Sequence, residues 1–132
     1  MHAALGEDSD AAALLSEVGL SQFGGTRASD LSYGRKRALE IATTLALDPE
    51  MLLLDEPMAG MTQEDIDRIS ALIKRISRDR TILMVEHNLS VVASLSDRIT
   101  VLARGKVLAE GDYAAVSADP QVIEAYIGAG HG

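Results

Sequence analysis

The chain has no cysteine and no tryptophan, with a single phenylalanine, three tyrosines and three prolines in 132 residues. Without cysteine there is no disulfide framework and no thiolate metal site, a composition that fits a reducing compartment. So few aromatic rings leave little to stack on nucleic-acid bases, and they force the core to be aliphatic. Positive charge is also short. Lys and Arg number 12 against 20 Asp and Glu, a net charge of −8 that repels phosphate backbones at long range. General nucleic-acid binding is therefore not expected. The longest purely apolar runs are a few residues, far below a membrane span. The start, Met1-His2-Ala3-Ala4-Leu5-Gly6-Glu7-Asp8, lacks the basic and apolar stretches of a secretory signal. These absences predict a cytoplasmic protein, or one bound to the cytoplasmic side of a membrane. What is present, 47% hydrophobic and 24% charged residues, predicts one globular domain with a real core.

The first 30 residues are acidic, with Glu7, Asp8, Asp10, Glu17 and Asp30 against Arg27 alone. Ala11 to Leu20 predicts a short helix with Leu14, Leu15 and Val18 on one face and Gly19 as its stop. A loop at Gly24-Gly25-Thr26 follows. From Leu31 helical and strand patterns alternate, as in α/β packing with parallel strands. Arg35 to Leu47 reads as a helix ended by Asp48-Pro49. Met51-Leu52-Leu53-Leu54 and Thr81-Ile82-Leu83-Met84-Val85 are continuous apolar runs, expected as strands covered on both faces. Thr62-Gln63-Glu64-Asp65 predicts a capping box before a helix whose inner face is Ile66, Ile69, Ile73 and Ile76. Asn88 predicts the cap of a helix through Leu95. Ile99–Ala103 and Val107–Glu110 predict a hairpin turning at Arg104-Gly105, and Asp119-Pro120 a further helix start.

The two buried strands end alike, one running into Asp55-Glu56-Pro57 and the other into Glu86-His87. Ligands of open parallel sheets bind beyond the carboxyl ends of the strands, so acids and a histidine on one rim outline a catalytic edge. Charges that simply mark where strands meet water are the competing explanation. Leu31-Ser32-Tyr33-Gly34 stands at a helix start, where free N–H groups and the dipole favour an anion. Ser32 can equally be an ordinary N-cap. Arg35, Lys36 and Arg37 then fill the first turn against the dipole, each at about 0.3–1 kcal/mol when exposed, and an anionic partner would offset that.

Together these segments resemble the ATP-binding cassette family of transport ATPases. Leu31-Ser32-Tyr33-Gly34 looks like the family's signature motif, Met51 to Asp55 its Walker B strand, and Glu56 its catalytic glutamate. Ala59-Gly60-Met61-Thr62 occupies the D-loop, and His87 the position of the switch histidine. Within the family the resemblance is to ATP-binding subunits of branched-chain amino acid importers, carried by Tyr33, Leu39-Glu40-Ile41-Ala42, Ala59-Gly60-Met61, Val85-Glu86-His87, Ser96-Asp97-Arg98-Ile99, Ala109-Glu110-Gly111 and the run from Asp119 to Gly128. Urea and amide importers share much of this set. The resemblance implies an ATPase with ATP and Mg²⁺ as cofactors: Asp55 on the metal, Glu56 on the attacking water and His87 on the γ-phosphate. Leu31, Ser32, Tyr33, Gly34 and Arg35 would face ATP held by a second ATP-binding subunit in a head-to-tail dimer. Membrane permease subunits would be the other partners, at the cytoplasmic face of the inner membrane, with no nucleic acid involved. His2 and His131 are expected to be bystanders.

Nothing matches G-x-x-x-x-G-K-[ST]; Gly105-Lys106 is followed by Val107 and falls in the hairpin. The resemblance thus implies the C-terminal part of a longer ATPase. The fold class expected is α/β, a partial P-loop NTPase core with parallel strands and a C-terminal hairpin. Residues 1–50 would belong to the helical signature subdomain and residues 51–132 to the C-terminal half of the core. Alone, such a chain is expected to bind little ATP, and a non-catalytic interaction module is the alternative. Arg35 replaces the family's usual glutamine and Thr62 its D-loop aspartate. The family's P-loop strand normally lies between the Thr81–Glu86 and Ile99–Ala103 strands. Its absence predicts open edges closed by rearrangement, strand exchange or dimerisation.

Overall fold

The computed structural model describes residues 2–128, which form two compact units meeting between Glu86 and His87. In the first, α1 (His2–Glu17) begins well before the predicted Ala11 and ends before Gly19, whose φ of +77° takes the left-handed conformation that closes the helix. Two 3₁₀ turns, Ser21–Phe23 and Ala28–Asp30, lead to α2 (Tyr33–Leu45). This helix starts two residues earlier than its periodicity indicated, and its buried stripe is Gly34, Ala38, Ile41, Ala42 and Leu45. Asp48, with φ +48°, turns the chain into β1 (Met51–Asp55). Then come α3 (Gln63–Ile76) and β2 (Thr81–Val85).

The two strands pair in parallel, Met51 opposite Thr81 through Asp55 opposite Val85. Leu52, Leu72 and Ile76 are its most completely buried side chains, in an aliphatic core shared with Ile41, Leu45, Ile69 and Ile73. The same spacing that buries Ile69, Ile73 and Ile76 leaves Glu64, Asp67, Arg68, Lys74 and Arg75 exposed on the outer face of α3. Thr62 caps α3 by accepting the Asp65 N–H at 3.2 Å, as the capping pattern predicts. Arg80 ties three turns together, reaching Asp48 at 3.5 Å, Asp79 at 3.4 Å and Glu17 at 3.9 Å.

One expectation is overturned here. The apolar strands are not covered on both faces: Leu52 is 1% exposed, but Leu53 is 71%, Leu83 56%, Val85 54% and Met51 49% exposed. Alternate side chains of a strand point to opposite faces, and this sheet packs its core on one face only.

The second unit holds α4 (Leu89–Leu95), β3 (Ile99–Ala103), β4 (Lys106–Gly111), α5 (Tyr113–Ser117) and α6 (Pro120–Val122), with a wider π turn over Ile123–Gly128. Asn88 caps α4 by accepting from Ser90 N–H at 3.1 Å and Val91 N–H at 3.2 Å. β3 and β4 form the predicted antiparallel hairpin, its turn made by Arg104 and Gly105 with φ of +52° and +75°. Two successive left-handed residues match the twist of the flanking strands. The register shifts by a bulge between Val101 and Leu102. Arg98 donates to Glu110 Oε1 at 3.0 Å, and so does the Thr100 hydroxyl. Asp112 and Asp119 cap α5 and α6, and Tyr126 donates its hydroxyl to the Leu102 carbonyl.

Among the described residues each sheet has two strands only. Among the described residues the open edges predicted from sequence stay unpaired.

Candidate functional site

The site grows from a reversal of chain direction. α2 runs away from its N-terminus and β1 returns, so the carboxyl end of β1 comes back beside the start of the helix. Tyr33 marks that proximity: a Cβ added at Gly60 would lie 3.8 Å from Tyr33 Cε1. Gly60, with φ +73°, makes a turn that other residues adopt only with strain. Arg37 reaches the Glu56 carbonyl at 3.5 Å and pairs with Glu40 at 2.9 Å.

Asp55 ends β1 with its side chain exposed. Glu56 follows with φ +47°, a left-handed conformation that costs a non-glycine residue of order 1–3 kcal/mol and clusters at functional sites. Its backbone N–H donates to the Val85 carbonyl at 2.8 Å, extending the ladder by one residue. Glu86, just past β2, accepts from Met58 N–H at 3.4 Å and so ties the end of β2 to the turn after β1.

Ser32 sits at the N-cap of α2 with extended backbone angles, φ −63° and ψ 160°, but its hydroxyl does not cap the helix. The capping explanation for this serine therefore fails, and the side chain is exposed. Leu31 is buried and anchors the turn, while Tyr33 is 52% exposed. Gly34 is buried against Asp65: a Cβ here would lie 2.5 and 2.6 Å from its Oδ1 and Oδ2, so a side chain would require the Asp65 carboxylate to move. The basic triplet is partly satisfied within the chain: Arg35 stacks over the Phe23 ring at 4.4 Å, Arg37 pairs with Glu40, and Lys36 stays exposed. A cavity of about 230 Å³ lies beside this turn, lined among others by Gln22, Phe23, Arg35, Asp65 and Arg68.

Within one unit the structure sets Tyr33 beside Gly60 and Arg37 against the Glu56 carbonyl, while His87 opens the other unit. Sequence reasoning missed Asp65 and Glu86 as groups holding these turns. Asp65 was visible as the last residue of the capping pattern, but its approach to Gly34 is a matter of helix packing. Among the described residues no cluster of three or more His, Asp or Glu is arranged to hold a metal. Asp55 and Glu56 offer hard oxygen atoms suited to Mg²⁺, which commonly completes its shell with water and substrate phosphates.

Two family models match this chain: "ABC transporter" over residues 4–59, and "Branched-chain amino acid ATP-binding cassette transporter" over residues 106–132. The chain belongs to the ATP-binding cassette family. Among its relatives is the high-affinity branched-chain amino acid transport ATP-binding protein BraF of Pseudomonas aeruginosa, 40% identical over 120 residues, 89% of this chain and 47% of that protein. LivG of Escherichia coli K12, described in the same words, is 39% identical over the same shares. In solved structures, the ADP conformation of MJ1267, an ATP-binding cassette of an ABC transporter, superposes with a TM-score of 0.82 at 31% identity. That match covers 91% of this chain and 49% of the other. A nucleotide-free ATP-binding cassette from an ABC transporter gives a TM-score of 0.77 at 27% identity. The chain spans about half the length of the curated relatives it matches. No helix among the described residues is long and apolar enough to cross a membrane.

Proposed function

We propose that this chain forms the C-terminal half of the ATP-binding subunit of an importer for branched-chain amino acids, whose intact form hydrolyses ATP to drive uptake. The observation that carries the solute class is the match of residues 106–132 to the branched-chain amino acid model, with BraF and LivG as relatives. In this reading residues 1–50 are part of the helical subdomain and residues 51–132 the C-terminal half of the core.

The roles are those the family resemblance implies. Asp55, exposed at the strand end, is the residue to hold Mg²⁺, with nucleotide phosphates and water as the other ligands. Mg²⁺ held there would neutralise phosphate charge. Glu56, held at φ +47° just past the strand end, orients the water that attacks the γ-phosphate. His87 contacts the γ-phosphate. Ser32, whose hydroxyl is not used in capping, and Gly34, with its bare backbone, meet ATP held by a second subunit, flanked by Leu31, Tyr33 and Arg35. Phosphoryl transfer asks mainly for positioning and charge neutralisation, which such distributed polar groups supply. The apolar groove of about 420 Å³ lined by Leu14, Leu15, Phe23, Leu39 and Ala46 offers the helical part a surface for permease subunits at the cytoplasmic face of the membrane.

The test is a chimera in which this chain replaces the corresponding half of BraF. Hydrolysis of ATP by the purified chimera is expected; a folded chimera that binds ATP without hydrolysing it overturns the catalytic reading.

A further inference from the structure

Beside the start of α2 lies the cavity of about 230 Å³, walled by the segment after α1 and by α2 and α3. Val18, Leu20, Ala38, Ile69 and Leu72 give it an aliphatic lining, each 2–7% exposed. Arg35, Asp65 and Arg68 line it as well and carry its charge.

Two of those charges are short of partners. The Asp65 side chain is only 17% exposed, yet among the described residues its carboxylate accepts no hydrogen bond. Arg68 stands 3.6 Å from it, too far for a hydrogen bond, and turns its other amino group to Glu64. An ionised carboxylate has about four acceptor sites, and leaving them unused in a half-buried place is costly. Arg35 lies over the Phe23 ring at 4.4 Å and makes no ion pair among the described residues. Asp65 packs on Gly34, the residue before Arg35, so an under-used negative group and an under-used positive one share one small space.

Size and charge together define an occupant. The volume is that of about eight waters of liquid. It falls below the about 300–1,000 Å³ of pockets for drug-sized ligands, which excludes a nucleotide. A simple anion would suit Arg35 and be repelled by Asp65, and a simple cation would do the reverse. A zwitterion suits both, and the aliphatic lining asks it for an apolar tail.

We propose that this cavity is a binding site for a small aliphatic α-amino acid. Its carboxylate pairs with Arg35, its ammonium with Asp65, and its side chain packs on Leu20, Ile69 and Leu72. Gly34 and Arg35 belong both to this wall and to the signature turn, so an occupant braces the helix start that would face ATP. That regulatory consequence rests on the importer reading above; the binding itself does not.

Nuclear magnetic resonance titration of L-leucine into the full chain tests the site with no ATP present. Saturable shifts are expected at the amides of Gly19, Gly34 and Ile69, half-complete at about 1 mM or below. Alanine and lysine should bind about tenfold more weakly or worse, one lacking methylenes for the lining and the other bringing a charge to it. Asp65→Asn and, separately, Arg35→Gln should each weaken leucine about tenfold or more, with circular dichroism checking that each variant stays folded. The amine and the α-keto acid analogues of leucine delete one charge from the ligand instead, and should lose as much on the unaltered chain. Lys36→Ala, an exposed change one residue from Arg35, should leave leucine binding intact. No saturable shift, shifts confined to residues outside the cavity, equal binding of lysine, or full affinity of the two analogues would each overturn the proposal. A BraF chimera that hydrolyses ATP beside a chain that takes no leucine removes this site and keeps the importer reading. Leucine binding beside an inactive chimera does the opposite.

Discussion

Single residues decide the chemistry here through backbone as much as side chain. Glu56 is the clearest case: a glutamate at φ +47° is held there by the ladder bond from its N–H to the Val85 carbonyl. The motif pattern names the residue, but its left-handed backbone emerges only when β2 pairs with β1. In the BraF chimera, Glu56→Gln should lower ATP turnover about 10²-fold or more without shifting the melting temperature, since the side chains are isosteric. Gly34 shows the same division. Its place in the signature motif is readable, whereas the carboxylate of Asp65, 31 positions later, is what fills the space a side chain would need. Arg80 could not be singled out beforehand either, because the turns that carry Glu17, Asp48 and Asp79 meet only after folding.

At the scale of elements, local signals performed well wherever the stabilising contact is itself local. Thr62, Asn88 and Asp119 cap their helices as read, and Arg104-Gly105 makes the hairpin turn, whereas α5 and its Asp112 cap were not read from the sequence. Helix starts were less legible, since α2 opens at Tyr33 without a side-chain cap to announce it. The hairpin carries its own pH dependence. Hydrogen bonds from Arg98 and Thr100, with the Arg98 charge, hold the Glu110 carboxyl below the usual carboxylate range. A depressed carboxylate pKa stabilises the fold above its unfolded value, and the benefit fades as pH falls through the folded value. Hairpin stability should therefore decline as pH drops through and below the usual carboxylate range. Thermal unfolding of Glu110→Gln should show a smaller decline over that window. Because both side chains are exposed, added salt should shrink the difference.

For the whole molecule, the controlling fact is that the sheet has one finished face. Nucleotide phosphates need a cradle of backbone N–H groups and a lysine, and this chain carries no such loop. Titration calorimetry of ATP into the isolated chain should give no saturable heat, whereas the chimera should bind. Saturable binding by the chain alone would show that the helix start at Ser32–Gly34 suffices as a phosphate site. The expectation of strands covered on both faces failed for a whole-molecule reason: Leu53 and Leu83 are written as residues of a sandwiched sheet, but the core buries Leu52 on the opposite face and leaves them exposed.

The amino-acid sequence alone determined the family, the order of helices and strands, the caps and the residues offered for chemistry, because each depends on neighbours a few positions away. Tertiary structure decided which of those residues meet. It set Tyr33 beside Gly60, put Glu56 in a left-handed backbone, and left four large apolar side chains of the β1–β2 sheet without cover. Those outcomes depend on pairing and packing between distant segments, whose energies no local pattern contains.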